Sequence, residues 1–557
     1  MSAPASRYRF PFRPRLWASL QQYHRDDLVT DVGAGITVAL VALPLAMAFA
    51  IASGVRPEQG IVTAIVGGLI VSLFGGSKVQ IAGPAGAFVG LLYGIAEKYG
   101  VANLLISTMM AGVLLFAMGA LRMGTLIRFI PVSIVIGFTT GIAIIIALSQ
   151  VRDFLGLAIE RMPSNFFSQL AVLWDSMGSV NPAAVAIGLS CLLVIVAWPT
   201  PRADRPGNWR FLTAKLPSTV VVLTISAVLV WGFDLHVETI GSRFGALPRG
   251  LPTPAMPEFN WATAQNLFAP TVSIALLGAI ESLLCARVAD GHIRDRHDPN
   301  QELMAQGMAN FVSPFFGGIA VTGTIARTMT NVRSGARSPV AGIVHSLVLF
   351  LIMLALAPLA SYVPLAALAA VLLWVAFNMA AWRELRELRQ FSMFYRAILL
   401  TTLTLTVVFD LTVAVEVGLV LSALFYIYRI SSLTRVEPIA LTEAQSRRAD
   451  GTRVGAWELF GSIFFASVTK IEGLLDPARP LPEVVVLEMH KVINIDTTGL
   501  DALEALLHST RNRGGRLILA DLNEQPMSLL ERSGFLRELG RGNVFEDFEA
   551  ALRSARD

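Results

Sequence analysis

The chain has 557 residues, of which 54% are apolar and 15% charged, against roughly 45–50% and about 25% for soluble globular chains. With a mean hydropathy of +0.61, this excludes a disordered chain, a collagen-like repeat, a disulfide scaffold and an ordinary soluble enzyme. The net charge of +4 comes from basic residues grouped between apolar segments, the pattern of an integral membrane protein with positive cytoplasmic loops and not of a nucleic-acid surface.

Residues 1–32 form a polar, basic and aromatic leader (Arg7, Arg9, Arg13, Arg15, Arg25) without the apolar centre of a cleaved signal peptide. It is expected to stay in the cytoplasm. Apolar stretches then follow at 33–52, 60–75, 80–96, 101–121, 126–149, 182–198, 215–233, 267–287, 301–316, 322–334, 340–357, 363–382, 391–410 and 412–430. Several fall short of the ~20 residues of a full crossing helix. Charge supports the count of about fourteen. With both ends inside, cytoplasmic loops and tails collect about 22 Lys/Arg against about 6 on the other face. The inward clusters are Arg122/Arg128, Arg202/Arg205/Arg210/Lys215, Arg287/Arg294/Arg296 and Arg383/Arg386/Arg389. An odd number of spans would scramble this asymmetry.

Two short segments interrupt the helical pattern. One runs from Val79 to Ala87 (Val-Gln-Ile-Ala-Gly-Pro-Ala-Gly-Ala) after Gly75-Gly76, the other from Ile319 to Ala326 (Ile-Ala-Val-Thr-Gly-Thr-Ile-Ala) after Gly317-Gly318. Each has a Gly-Gly turn, an extended piece, a central glycine and then a helix. Gly323 lies 240 positions after Gly83, and a similar shift superposes the first span on the eighth. Paired broken spans in corresponding halves point to an inverted-repeat transporter and its binding site; the plainer reading is close helix packing through glycine.

Beyond Arg435 the composition becomes soluble-like. Strands are predicted at 457–465, 483–488 and 516–520, and helices at 499–511, 528–532 and 546–554. This alternation indicates a small cytoplasmic α/β domain. The expected division is a leader (1–32), a transmembrane transport domain (33–430) and this domain with its linker (431–557).

Several runs resemble the sulfate permease (SulP) family, also called solute carrier family 26. They are Leu43-Pro44-Leu45-Ala46-Met47-Ala48-Phe49-Ala50, the Gly83-Pro84 element, Ala279-Ile280-Glu281-Ser282-Leu283-Leu284-Cys285-Ala286, Ile325-Ala326-Arg327-Thr328 and Asn331-Val332-Arg333-Ser334-Gly335-Ala336-Arg337-Ser338-Pro339. The segment Ile495-Asp496-Thr497-Thr498-Gly499-Leu500 resembles a STAS domain. The match covers the whole chain in order and is most similar to proteobacterial members, including a C4-dicarboxylate type. It implies seven-plus-seven inverted repeats, a core moving against a gate, a homodimer and a bacterial inner-membrane location.

An anion at mid-bilayer must regain the solvation lost on leaving water. Two opposed half-helix N-termini offer this through unpaired N–H groups and dipoles. Gly83, Pro84 and Ala85 on one side, and Gly323, Thr324 and Ile325 on the other, are the candidate substrate-binding positions. Pro84 is expected in a first helical turn, where its missing N–H costs nothing. The glycines at 83, 86 and 323 are expected to let backbone approach the ligand. The resemblance adds Leu45 and Phe49 to the pocket, although both also suit ordinary packing. Arg327, one turn into the tenth span, costs about 2.5–3.5 kcal/mol there unless paired or solvated. An anion would be that partner; the bland alternative is a basic vestibule with Arg333 and Arg337.

Glu281 stands inside an otherwise apolar span, which by default marks a functional site. It is a candidate proton carrier, or else a structural partner of Arg327 or of a backbone N–H. The resemblance implies an acidic residue here in sodium-linked relatives, with a hydroxyl one turn later. This chain has Cys285 there, a poor ligand for a hard cation, so protons are expected. Glu416 lies near an outer turn and is less telling, and His345 reads as a packed helix residue. In related bacterial regulators the hydroxyl before the glycine is phosphorylated, which makes Thr498 the candidate, although Asp496 or Thr498 also reads as a plain N-cap. No cofactor, metal site or nucleic acid is expected. The function these features imply is secondary transport of small anions (sulfate, bicarbonate or a C4-dicarboxylate), proton-coupled. An uncoupled channel or exchanger, or a membrane-anchored STAS signalling protein recruiting a cytoplasmic partner, are the alternatives.

Overall fold

The computed structural model describes residues 12–21, 23–125, 131–159, 162–163, 165–198, 217–257, 265–409, 411–448, 450–475 and 482–557. Arg7, Arg9, Arg128, Arg202, Arg205, Arg210 and Lys215 of the predicted basic groups lie outside them. The chain divides into two compact units, Met1–Leu419 and Val420–Asp557.

Fourteen helical elements stand where the apolar stretches predicted them. They are α1 (Arg25–Ala52), α2 (Pro57–Phe74), α3 (Val89–Tyr99), α4 (Val101–Ala120), α5 (Val132–Leu155), α6 (Pro182–Ala197), α7 (Ser218–Phe233), α8 (Phe268–Ile293), α9 (Pro299–Val312), α10 (Ile325–Arg333), α11 (Val340–Ala360), α12 (Leu365–Met379), α13 (Met393–Val408) and α14 (Leu411–Leu433). Six of them are long and apolar enough to cross a membrane on their own, and five more are shorter apolar helices. The first begins eight residues earlier than its apolar run. A capping box between His24 and Asp27 starts it, and acidic residues in the first turn suit the positive end of its dipole.

Packing sorts the helices by their place in each repeat. α4 packs closely on α9 and α8, and α1 on α11, whereas α5 packs on α12 and α13, and α6 on α12. Glycine permits the closest of these approaches. A Cβ on Gly112 of α4 would stand 2.5 Å from the backbone nitrogen of Phe311 and 2.7 Å from the carbonyl oxygen of Gly307 on α9. Such near-backbone contact is how small residues let apolar helices associate without a hydrophobic driving force.

The third span of each repeat is broken. β1 (Ala82–Gly83) pairs antiparallel with β2 (Thr322–Gly323), setting Ala82 opposite Gly323 and Gly83 opposite Thr322. Extended backbone at this depth cannot turn to water, so the two interruptions satisfy each other. Thr324 N–H donates to Ile81 O (3.0 Å), and Ile81 N–H to Thr328 Oγ1 (3.0 Å). Asn310 holds Val321 at both ends, its Nδ2 donating to the carbonyl (2.8 Å) and its Oδ1 accepting from the N–H (2.9 Å). Opposite these strands α2 widens into a π-helical turn, Thr63–Gly67, a distortion frequent at functional sites.

The leader carries a short helix, Arg15–Leu20. Arg15 donates twice to Asp295 (2.7 and 2.8 Å), and Lys78 reaches the same carboxylate at 3.0 Å. These bonds tie the leader to the loops before β1 and before α9.

In the second unit a five-stranded sheet runs in the order β3 (Arg435–Ile439), β4 (Val454–Ile463), β5 (Val484–Ile495), β6 (Arg516–Ala520), β7 (Val544–Phe545). Only the β3–β4 pair is antiparallel. Helix α15 (Thr497–Asn512) covers one face with Leu503, Leu506 and Leu507, joined by Leu530 of α16 (Glu524–Arg532). Helix α17 (Phe548–Arg556) covers the other with Ala551, Leu552 and Ala555. β3 was not anticipated: its Pro438 and exposed charges suit an edge strand and hide it in the sequence.

Candidate functional site

Each short strand leads into a helix N-terminus. After β1 comes a 3₁₀ turn, Gly86–Phe88, and then α3; after β2, Thr324 precedes α10 directly. Neither start is capped by a side chain. The Thr324 hydroxyl points back to Ile81 O (3.2 Å), so the first N–H groups of α10 have no intrahelical acceptor and no cap. Two uncapped N-termini held by one two-residue ladder form an anion-favouring locus.

Pro84 is not in a first turn. Helical geometry begins at Gly86 with Ala85 extended before it, and Pro84 instead favours the extended form of Gly83, the strand residue it follows. Side chains lie close to all three glycines. A Cβ on Gly83 would strike Arg327 Nη1, and one on Gly323 would strike Gln80 Nε2. On Gly86 it would meet Phe49 Cε1 at 3.2 Å and Ile146 Cδ1 at 3.3 Å.

Arg327 is 1% exposed, and none of its guanidinium nitrogens has a hydrogen-bond partner among the described residues. Buried unpaired guanidinium is costly, and an anion at the neighbouring N-termini would relieve it. Ala85 and Thr324 are buried at the two helix starts, Phe49 is buried against Gly86 and Leu45 is buried on α1, while Ile325 is 37% exposed. Arg333 and Arg337 do not share this setting: Arg337 pairs with Asp27 at 2.7 Å. His345 is buried, with neither ring nitrogen hydrogen-bonded among the described residues.

Glu281 is buried on the stretch of α8 that packs against β2 and α10. Around it, Thr322 Oγ1 donates to Gly278 O (3.2 Å), Gln80 Nε2 to Ser282 O (3.2 Å), and Cys285 Sγ to Thr328 Oγ1 (3.2 Å). No ion pair joins Glu281 to Arg327. Glu281 thus lies on the helix packed against β2, while the Arg327 guanidinium lies against Gly83 of β1.

Sequence reading missed the fully buried carboxylates Asp31 and Glu302. Asp31 accepts from Arg337 N (2.7 Å), Ser338 Oγ (2.5 Å) and Tyr23 OH (2.8 Å). Glu302 accepts from Gly76 N (2.9 Å), Ser77 N (3.2 Å) and Gln306 Nε2 (3.0 Å). The row Glu302, Gln306, Asn310 at four-residue spacing was the available signal, a polar stripe in an apolar span. In the second unit, Asp496 is the N-cap of α15 (2.9 Å to Gly499 N), which leaves the Thr498 hydroxyl free of that duty and partly exposed.

A multi-pass helical fold with two uncapped half-helices facing a buried arginine defines a membrane anion transporter. Residues 28–402 match the Sulfate permease family and residues 448–551 match the STAS domain, so the chain belongs to the sulfate permease family. It is 39% identical over 525 residues to YvdB of Bacillus subtilis, whose name designates a candidate sulfate transporter, covering 94% of this chain and 97% of that one. It is 28% identical over 553 residues to the bicarbonate transporter BicA of Picosynechococcus sp., covering 96% and 95%. The transmembrane domain of a cyanobacterial BicA matches 71% of this chain and 98% of its own (TM-score 0.63, 29% identity). The murine solute carrier 26 family member A9 anion transporter, in its inward-facing state, shares the fold over 100% of this chain and 96% of its own (TM-score 0.85, 18% identity).

Proposed function

We propose that this chain is a secondary carrier of small oxyanions or carboxylates, with sulfate, bicarbonate and C4-dicarboxylates as its candidate cargo, and that it couples their entry to protons. The observation that carries the reading is the strand-paired couple of uncapped helix N-termini beside unpartnered Arg327. The names of relatives support sulfate and bicarbonate as members of the panel. On this reading Gly83, Pro84, Ala85, Gly323, Thr324 and Ile325 shape the pocket, Leu45 and Phe49 line it, and Arg327 supplies charge. Glu281, in no ion pair among the described residues, carries the proton with Cys285 one turn away. Carboxylate charge that changes as the core moves distinguishes a coupled carrier from an open channel.

The same reading divides the chain into a cytoplasmic leader (1–32), a transport domain of core and gate (33–430) and a cytoplasmic regulatory STAS domain with its linker (431–557). It places the protein in a bacterial inner membrane as a homodimer with both ends inside. Thr498, at the start of α15, is then the modification residue. Competitive uptake into proteoliposomes across sulfate, bicarbonate, chloride and succinate, with pH and sodium gradients imposed separately, tests the proposal. Uptake of any of them stimulated by external acid and indifferent to sodium is expected. Uptake that follows sodium alone, or flux with no gradient dependence, would refute the coupling.

A further inference from the structure

A cavity of about 1130 Å³ runs beside α5 from Asp153 and Arg152 down to Ile142, and reaches Ala87 and Val89 at the start of α3. Arg152 and Ile142 are ten residues apart on one helix, about 15 Å of depth. Beside Ala87, which lines it, Phe49 and Ile146 crowd Gly86. The cavity therefore reaches the residues that follow one half-helix start, and its other end lies where α1, α3 and α5 end and α4 begins. With both chain ends cytoplasmic, that side is the outer one.

The outer side is poor in cations, as the positive-inside rule requires, and most of those described there are engaged. Arg56 pairs with Glu58, Lys98 lies 5.1 Å from the centroid of the Tyr99 ring, and Arg243 pairs with both Asp153 (2.8 Å) and Glu238. Arg152 differs. Its side chain is 18% exposed, and its Nε is buried without a hydrogen-bond partner. The nearest carboxylate oxygen, Asp153 Oδ1, is 3.8 Å away and already accepts from Arg243. Among the described residues the other acidic groups lining the cavity are Glu97, which is exposed, and Glu238, whose side chain is 56% exposed. Water screens both of these at the rim. Among the described cations lining the cavity Arg152 thus has the looser carboxylate contact, because Asp153 already accepts from Arg243, and it offers a planar donor fork suited to oxyanions.

We propose that Arg152 is an outer anion-binding station, where a small oxyanion or carboxylate is held before it passes Phe49 and Ile146 to the half-helices. The station rests on the reading of the chain as an anion carrier, but its local charge is testable without transport. Ser149 lines the cavity one turn deeper on α5. Ser149→Cys should react faster with a sulfonate methanethiosulfonate than with a trimethylammonium one. Adding Arg152→Gln should lower that rate ratio about fivefold, as expected for removing one unit charge a few ångströms away, and Arg152→Lys should restore it. In proteoliposomes, Arg152→Gln should raise the half-saturating sulfate or bicarbonate concentration measured from the outer face about tenfold, the usual worth of a charged hydrogen bond. The inner-face value should stay within twofold. An unchanged thiol ratio, or an equal rise on both faces, overturns the station. A fall in melting temperature with outer-face half-saturation unchanged also overturns it and makes Arg152 a support for the Asp153–Arg243 pair. If the unmutated protein takes up neither anion, the proposed cargo fails while the thiol ratio still decides the station.

Discussion

Gly83 and Arg327 occupy each other's space: the missing Cβ of one is the room used by the guanidinium of the other. The atom in the way is the far end of a flexible side chain, so Gly83→Ala should displace Arg327 without unfolding the strand. The expected result is a several-fold loss of anion affinity with little change in melting temperature. Arg327→Ala should weaken affinity more than Arg333→Ala does. In the double variant of Gly83 and Arg327 the two losses should not add, since residues in contact couple; full additivity in titrated uptake would separate them. Glu281→Gln keeps the volume of the acid and removes its titration. Anion binding and exchange should survive while accumulation driven by external acid is lost, and sodium should not rescue it, because the Cys285 sulfur is engaged with Thr328 and offers no hard oxygen. Acid-stimulated uptake unchanged in this variant returns Glu281 to a structural role.

Asn310 on α9 is the element-scale counterpart, a side chain that stands in for a strand. It is fully buried and holds both backbone groups of Val321. Asn310→Leu leaves a donor and an acceptor unpaired at about 1–3 kcal/mol each. A fall of several degrees in the melting temperature of the purified protein is expected; an unaltered value would mean the β1–β2 ladder holds without it. The leader makes a second junction, at Asp295. Burial raises that carboxyl, but hydrogen bonds from Lys78, Arg15 and Arg296 N–H outweigh burial and hold it at about 2. A folded value below the ordinary one near 3.9 stabilises the fold above that pH, and the contribution disappears as pH falls through 2. Acidification from pH 4 to 2 should therefore destabilise the native protein more than Asp295→Asn. Identical acid profiles would show that the leader is held by its backbone bonds alone.

At the scale of the molecule, the second unit has its own two-sided core of α15 and α16 on one face of the sheet and α17 on the other. No residue of the anion locus belongs to it. Truncation near Arg435 should lower expression or alter regulation, because Thr434 Oγ1 donates to Ser462 O (2.8 Å) and Lys470 Nζ to Ser431 O (2.6 Å) at the end of α14. Selective uptake should persist in the fraction that folds. Total loss of anion binding in a monodisperse truncated sample would place part of the site in the STAS domain.

The span count, the two breaks and the α/β tail were legible in the sequence because each is a local pattern. Apolar runs have a length, glycine clusters interrupt them, and charge falls on alternate loops. Arg327 and Glu281 were legible for the same reason: a charge in an apolar helix stands out before any fold is known. The tertiary structure alone decided what those patterns face. That Ala82–Gly83 and Thr322–Gly323 pair as strands depends on contacts about 240 residues apart in sequence, as does the use of Gly83 by Arg327 and of Gly323 by Gln80. Pro84 read as a helix starter because proline suits both a first turn and the end of a strand, and only the pairing chose between them. Asp31 and Glu302 were missed because their backbone partners are remote in sequence. The setting of Arg152 was not legible either, because it depends on which carboxylates the fold brings within reach and which other arginine has already bonded them.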